Sequence, residues 1–201
     1  MVNNQIKDIR KRIQHAQRQA REQFEKNHVI FSIVAAAAAQ IFADIENLMT
    51  STSFKTPISV LVVIYTPDLK VLLIERADKA DFWQSVTGSI EAEDADLRAT
   101  AIREVLEETG LDAKKFKLED WQFAQTYEIY EHWRYRYAPG VTQNVEHVFG
   151  LELPAPVDVK LAPDEHVAFE WVDWRDAAKR VFSWTNVEAL RLLGQRHNLT
   201  L

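Results

Sequence analysis

The chain has 201 residues, of which 47% are hydrophobic and 27% are charged, so its composition is that of a soluble globular protein with room for one domain and an additional segment. It contains no cysteine, which excludes disulfides and thiolate metal sites. The formal net charge is −6, although residues 1–28 carry seven Lys and Arg against three Asp and Glu, and the resulting acidic body argues against a general nucleic-acid binder.

Residues 1–49 are predicted to form a helical hairpin or one long bent helix. Apolar residues recur at helical spacing along 5–26 and again along 30–48. The apolar stretch 29–39 is too short to span a bilayer, which needs about 20 residues. Because a long basic segment precedes it and the amphipathic pattern continues beyond it, we interpret it as a helix packed on protein rather than as a signal peptide or a membrane segment. The expected role is a packing element or an arm for a homodimer.

After a linker at 50–54, the pattern changes to alternating strands and helices, which predicts a second domain over residues 55–201. A mixed sheet covered by helices, and hence an α+β fold, is expected because strands both precede and follow an isolated helix. The predicted strands are 57–65, 70–76, 82–90, 121–130, 145–153 and 166–172. The predicted helices are 97–109, ended by Gly110, then 174–182 and 186–196.

The helix at 97–109 carries a cluster of acids. Glu104, Glu107 and Glu108 are spaced i, i+3 and i+4, so they share one face, where like charges repel. Oxygen ligands gathered in this way are suited to a hard divalent cation such as Mg²⁺. The alternative interpretation is a solvated acidic helix face.

The context of these acids resembles a known motif. Gly88, an acid six residues later, Arg103-Glu104, Glu107-Glu108 and Gly110-Leu111 together resemble the Nudix box. The family has 13 residues between the glycine and the arginine, whereas this chain has 14, and Asp94 stands where glutamate is usual. An extra residue inside the helix would rotate all later helical positions by about 100°. We therefore expect the loop at 92–96 to absorb it, which leaves the role of Asp94 open.

Beyond the box, the segments "DFWQSVTGS", "YRYAPGVTQN" and "DEHVAFEWVD" resemble one Nudix subgroup, the bacterial dihydroneopterin triphosphate pyrophosphatases. The resemblance covers residues 55–190. It implies an α/β/α sandwich around a mixed sheet and a cytoplasmic enzyme of folate synthesis. Such an enzyme uses Mg²⁺, for which Mn²⁺ can substitute, to cleave 7,8-dihydroneopterin triphosphate to the monophosphate and pyrophosphate.

The resemblance also implies roles for individual residues. Glu104 and Glu108 match metal ligands, and Glu107 lies beside them. Glu165 matches a remote carboxylate that binds Mg²⁺ or takes a proton from the attacking water, although an exposed loop acid is the alternative. The positions that match substrate contacts are Lys55, Arg76, Thr87, Tyr127, Glu128, Ile129, Tyr130, His166 and Ser183. Of these, Lys55 and Arg76 suit the triphosphate, and Glu128 could accept hydrogen bonds from the pterin.

Two other functions fit the same residues. The first is hydrolysis of nucleoside triphosphates such as dATP, because a pterin resembles a purine. The second is a Nudix domain kept for binding or regulation, with residues 1–54 recruiting a partner. The presence of every metal-binding carboxylate argues against the second.

Overall fold

The structure is a computed structural model that describes residues 14–19, 21–23 and 54–201. The chain divides into two units, residues 1–53 and residues 54–201. In the first unit, residues 14–19 and 21–23 are helical and exposed. The remainder of the predicted N-terminal helices lies outside the described residues, so the hairpin, the homodimer arm and the assignment of residues 1–54 as a separate extension stay predictions.

The second unit is built on a seven-stranded sheet. Its strands are β1 (Ile58–Tyr65), β2 (Lys70–Arg76), β3 (Trp83–Gln84), β4 (Val86–Ser89), β5 (Lys117–Glu128), β6 (Gln143–Glu152) and β7 (His166–Asp173). The order is β3-β2-β1-β6-β5, with β4 also paired to β1 and β7 also paired to β2. β1 and β6 run parallel and the other pairs are antiparallel, which confirms the predicted mixed sheet.

Three α-helices of the second unit begin at side-chain caps. They are α1 (Leu97–Thr109), α2 (Trp174–Arg180) and α3 (Trp184–Arg196). Asp96, Asp173 and Ser183 each accept a hydrogen bond from a backbone N–H of the first turn that would otherwise have no partner. α1 ends at Gly110, whose φ of 70° lies in the left-handed region that glycine favours. The predicted bounds of α1 are confirmed.

The helices cover both faces of the sheet. Successive strand residues point to opposite faces, and β1 therefore contributes to two cores. Val60 and Val62 pack with Ala101 and Val105 of α1, whereas Leu61 lies in the core formed with α2 and α3. The predicted α/β/α sandwich is confirmed.

The run 82–90 is two strands rather than the predicted one. β3 pairs with β2, and β4 pairs with β1, so the chain changes partner between them. At this point the backbone N–H of Ser85 donates to the side chain of Asn186, at 2.8 Å. That partner is 101 residues away, and local sequence patterns do not reveal it.

β5 begins four residues before the predicted start. Its pairing with β6 shifts register between Asp120 and Phe123, where Gln122 has a φ of 53°. The N–H of Gln122 donates to Asp120 at this bulge, so the strand continues across the irregularity. Among the described helices, none is long and apolar enough to cross a membrane.

Candidate active site

A cavity of about 740 Å³ brings the predicted site residues together. Strands, helix α1 and the loops beside them all contribute to its wall. Every predicted catalytic, metal-binding and substrate-binding position lines it, namely Lys55, Arg76, Thr87, Glu104, Glu108, Tyr127, Glu128, Ile129, Tyr130, Glu165, His166 and Ser183. The cavity therefore joins acids, cations and aromatic groups from positions far apart in the chain.

Arg103 organises one end of this cavity. Its guanidinium donates to both carboxylate oxygens of Asp94, at 3.1 and 2.9 Å, to Glu104 at 2.8 Å and to Glu107 at 2.9 Å. It also donates to the backbone carbonyl of Ser89, at 2.9 Å. The hydrogen bonds from Arg103 lower the pKa of Asp94 to about 2, so that carboxylate stays ionised. A bidentate pair of this kind fixes orientation as well as charge.

Glu104 is buried directly against Gly88 of β4. A Cβ atom placed on Gly88 would lie 1.7 Å from the Glu104 carboxyl carbon, so only glycine leaves room for this side chain. Burial raises the pKa of Glu104, Arg103 lowers it and the charge of Glu108 raises it, so that the net pKa is about 8. The carboxyl is thus held in a place that favours added positive charge.

Glu108, Glu165 and His166 form a second cluster, in which one possible ligand atom of each lies within 4.8 Å of the others. Nε2 of His166 lies 3.4 Å from Oε2 of Glu108. This oxygen and both ring nitrogens of His166 are buried without a hydrogen-bond partner. Buried polar atoms are rarely left so, and a cation or its bound water among them would satisfy these atoms.

The cluster contains two of the three predicted metal ligands. Glu104 lies outside it, because its carboxylate is held by Arg103. Burial raises the pKa of Glu108, and the neighbouring imidazole of His166 lowers it. Glu165 is exposed on the loop before β7, and its backbone carbonyl accepts from the N–H of Ala77.

The two cations predicted for the triphosphate differ in their surroundings. Desolvation lowers the pKa of Lys55, and so does the charge of nearby Arg136. Arg76 donates to both oxygens of Asp78, at 2.8 and 2.6 Å, and its guanidinium lies 5.0 Å from the ring centre of Trp133. An anion at Arg76 would therefore share this side chain with Asp78.

The positions at the end of β5 are not equivalent. Tyr127 is half-buried, and burial raises its pKa above the ordinary value. Ile129 is buried, whereas the side chain of Glu128 is 71% exposed and pairs with Arg134 at 2.8 Å. Tyr130 is partly exposed and meets the ring of Trp133 edge-on, at 5.4 Å.

Thr87 and Ser183 are hydroxyls with defined partners. Thr87 on β4 accepts from the side-chain amide of Gln84, at 3.3 Å. Ser183 caps α3 and accepts from the backbone and side-chain amides of Asn186, at 3.2 and 3.0 Å. The Ser183 hydroxyl also lies 3.1 Å from the Thr185 hydroxyl, with which it shares a hydrogen bond.

The family model described as the NUDIX domain matches residues 55–193. The chain belongs to the Nudix family. Residues 1–54 lie outside the match.

Relatives within the Nudix family cover most of the second unit. The chain is 45% identical over 145 residues to dihydroneopterin triphosphate diphosphatase of Escherichia coli (strain K12), which is 71% of this chain and 95% of that protein. It is 42% identical over 143 residues to the protein of the same name from Haemophilus influenzae, covering 69% and 87%. The solved structure of the E. coli dihydroneopterin triphosphate pyrophosphohydrolase matches with a TM-score of 0.65 at 44% identity, over 70% of this chain and 97% of that one.

The loop before α1, where the extra residue of the Nudix box is predicted, contains Asp94 and Asp96. Asp94 follows an exposed turn, and its carboxylate also accepts from the N–H of Glu91 at 3.0 Å and from the Thr100 hydroxyl at 3.0 Å. Asp96 then caps α1. Arg103 and Glu104 lie on α1 beyond this cap, and Asp94 is an acid that holds Arg103. The placement of the extra residue in this loop stays a prediction.

Sequence reasoning missed one buried acid in the Nudix cavity. Glu146 on β6 is 4% exposed and lines the cavity. In a strand where apolar and polar residues alternate, a single acidic residue is typical of a solvent-exposed position. The local pattern therefore does not indicate that Glu146 is buried. The signal appears only when β6 is placed between β1 and β5. Sequence reasoning also did not predict the Phe82–Phe182 stack, whose ring centres are 4.7 Å apart and of which Phe182 lines the cavity.

Proposed function

We propose that the chain hydrolyses 7,8-dihydroneopterin triphosphate to the monophosphate and pyrophosphate, with Mg²⁺ as its cofactor and Mn²⁺ as a substitute. One observation carries the proposal: the whole set of positions matched to the subgroup's metal and substrate contacts lines a single cavity. The similarity to the E. coli protein of that activity, over 95% of its length, supports the choice of substrate.

Glu108 and Glu165 would hold the cation, with Glu104 as the third carboxylate. Carboxylate oxygens are the ligands that Mg²⁺ and Mn²⁺ prefer. When bound, the cation neutralises phosphate oxygens and lowers the pKa of a bound water. Nε2 of His166 lies 3.4 Å from Oε2 of Glu108, so the imidazole flanks the carboxylate that would hold the cation.

The side chains around the cation perform the remaining steps. Lys55 and Arg76 bind the anionic tail of the substrate. Glu165 takes a proton from the water that attacks phosphorus, since its loop places it beside Glu108 without an ion-pair partner among the described residues. The anhydride bond between the α- and β-phosphates then breaks, and pyrophosphate leaves with the bonding electron pair.

The test is product analysis with dihydroneopterin triphosphate and Mg²⁺ for the wild type and Glu108→Gln. We expect the wild type to release intact pyrophosphate and Glu108→Gln to lose at least about 100-fold in kcat, since an oriented charge in a dry site contributes several kcal/mol. Glu170→Gln is the matched control: it makes the same chemical change on exposed β7, outside the cavity, and should keep wild-type activity.

Three outcomes would count against the proposal. Stepwise release of orthophosphate would exclude cleavage between the α- and β-phosphates. A higher kcat/KM for dATP than for the pterin would favour the nucleotide hydrolase. Equal background rates for the wild type and Glu108→Gln would favour a non-catalytic binding domain. The expectations that the chain is cytoplasmic and does not bind nucleic acid remain part of this proposal.

A further inference from the structure

A row of polar side chains crosses the sheet on the face that α2 and α3 cover. Glu146 on β6 is the register partner of Ser59 on β1 and of Gln125 on β5. Two residues further along, Leu61 and Val148 occupy the same face and belong to the core. On this face of the sheet, buried apolar residues are therefore replaced by buried polar residues two positions along each strand, where the sheet reaches the cavity.

Glu146 has only neutral partners. Its carboxylate accepts from the side-chain amide of Gln125, at 3.1 Å, and from Thr185. Among the described residues, no Lys, Arg or His forms an ion pair with it, although it is 4% exposed. A buried acid without a counter-charge is costly, and the metal cluster does not include it.

The surroundings of Glu146 are rich in acceptors. The amide nitrogen of Gln125 donates both to Glu146 and to the carbonyl of Thr185, at 2.9 Å, which fixes the orientation of that amide. Its oxygen is then left buried without a partner. The side-chain oxygen of Asn144 is likewise buried and unpartnered, while its nitrogen donates to Ser59. Of Gln125, Asn144 and Glu146, only Glu146 lines the cavity, so its carboxylate is the acceptor that the donors of a ligand can reach.

We propose that Glu146 is the specificity-determining residue that binds the heterocycle of the substrate. The inference rests on the proposed function and deepens it. The 2-amino-4-oxo ring of a pterin, like the 2-amino-6-oxo ring of guanine, presents a ring N–H beside an exocyclic amino group, and one carboxylate can accept from both. Adenine presents an amino group beside a ring nitrogen that is itself an acceptor, which would face the carboxylate without a proton between them.

The geometry favours Glu146 over Glu128 for this role. Glu128 is exposed and already paired with Arg134, so water and the guanidinium compete with any ligand. Glu146 is buried and has no charged partner among the described residues, so a ligand's donors would meet an acceptor shielded from water. Sites that hydrogen-bond a ligand group in this way discriminate strongly against ligands that lack it.

The decisive variant is Glu146→Gln, whose amide offers one acceptor and one donor and therefore matches the adenine edge. We would measure kcat/KM with Mg²⁺ for dihydroneopterin triphosphate, dGTP and dATP. The variant should lose at least about 100-fold on the first two, and the ratio of dATP to pterin activity should rise by at least about 100-fold. Equal losses on all three substrates, or an unchanged ratio, would overturn the inference.

Two further variants serve as comparisons. Glu152→Gln lies on the same strand and outside the cavity, and it should leave all three rates unchanged. Glu128→Gln tests the rival acid directly: a reversal of preference in this variant, and not in Glu146→Gln, would assign ring recognition to Glu128 and refute the role of Glu146.

A measurement on the wild type alone keeps the inference testable if Glu146→Gln does not fold. The nucleotide dITP has the ring N–H and the oxo group of dGTP but lacks the 2-amino group. We expect kcat/KM for dITP to be at least about 10-fold below that for dGTP, and equal values would contradict the inference. If the wild type hydrolyses none of these substrates, the proposed function itself fails; if it hydrolyses them without discrimination, only the role of Glu146 fails.

Discussion

At the scale of single residues, Gly88 and Glu104 occupy one space. A methyl group on Gly88 would overlap the Glu104 carboxyl, so Gly88→Ala must push this carboxylate out of its position. We expect a stability loss of about 1–3 kcal/mol, because the overlap involves a flexible side chain rather than backbone. We also expect kcat to fall by about 100-fold or more, since small displacements of catalytic groups slow the reaction strongly.

The measurement for Gly88→Ala is Mn²⁺ affinity together with thermal unfolding. We expect weaker Mn²⁺ binding by a protein that still unfolds cooperatively. Wild-type Mn²⁺ affinity in a folded variant would mean that Glu104 is not a ligand and that Glu108 and Glu165 suffice.

Glu146 makes stability depend on pH. Burial raises its pKa, hydrogen bonds from Thr185 and Gln125 partly offset this, and the net pKa is about 7. Between the ordinary glutamate value and about pH 7 the unfolded chain has lost this proton while the folded chain keeps it, so the folded state loses stability as pH rises through this window. Glu146→Gln removes the effect.

We therefore expect the free energy of unfolding of Glu146→Gln, relative to the wild type, to increase from pH 5 to pH 8. The gain should be at most about 3 kcal/mol, since one pKa unit corresponds to about 1.4 kcal/mol. Urea unfolding of both proteins at the two pH values measures it. A difference that does not change with pH would show that the carboxyl is already ionised at pH 5.

At the scale of elements, the positions of the acidic residues on α1 are fixed relative to the N-cap residue Asp96. One alanine inserted after Ala92 lies in an exposed turn before the cap, so activity should stay within a few-fold of wild type. One alanine inserted after Thr100 rotates Glu104 and Glu108 by about 100° and should abolish activity. The two variants have the same length, and steady-state hydrolysis compares them. Similar activity in both would refute the assignment of the ligands to α1.

The same element shows why some bounds are predictable. Both ends of α1 are set by residues beside them, Asp96 and Gly110, so the sequence contains the whole signal. The division of 82–90 into β3 and β4 depends on Asn186, and the start of β5 depends on a bulge against β6. Such features are decided by tertiary partners, which local patterns do not contain.

The same limit applies to the residues of the site, because contacts between distant residues are not visible in local sequence patterns. Glu108 and Glu165 could be predicted because a family motif and a loop acid are visible in the sequence. The distance between their two carboxylates could not be predicted. The pairing of Glu104 with Arg103 and the inclusion of His166 in the acidic cluster depend on side-chain geometry. Glu146 could not be predicted, because its burial requires the neighbours supplied by β1 and β5.

At the scale of the whole molecule, the catalytic and N-terminal segments should be separable in function. The cavity and both cores lie within residues 54–201. We expect residues 55–201 to keep wild-type kcat/KM but to sediment as a monomer, whereas the full chain sediments as a dimer through residues 1–54. The same number of chains per particle in the two proteins would exclude a role of residues 1–54 in dimerisation.

The polar row from Gln125 through Glu146 to Ser59 has a consequence for how this enzyme can evolve. Ser59 and Glu146 share their strands with Leu61 and Val148, so the positions proposed to contact the heterocycle and positions of the core are successive residues on the same face of β1 and β6. Mutations that retune substrate choice there must also be tolerated by the core. Substrate preference can therefore change more readily through mutations at the exposed aromatic residues of the cavity wall, Tyr130 and Trp184, than through mutations at Ser59 or Glu146.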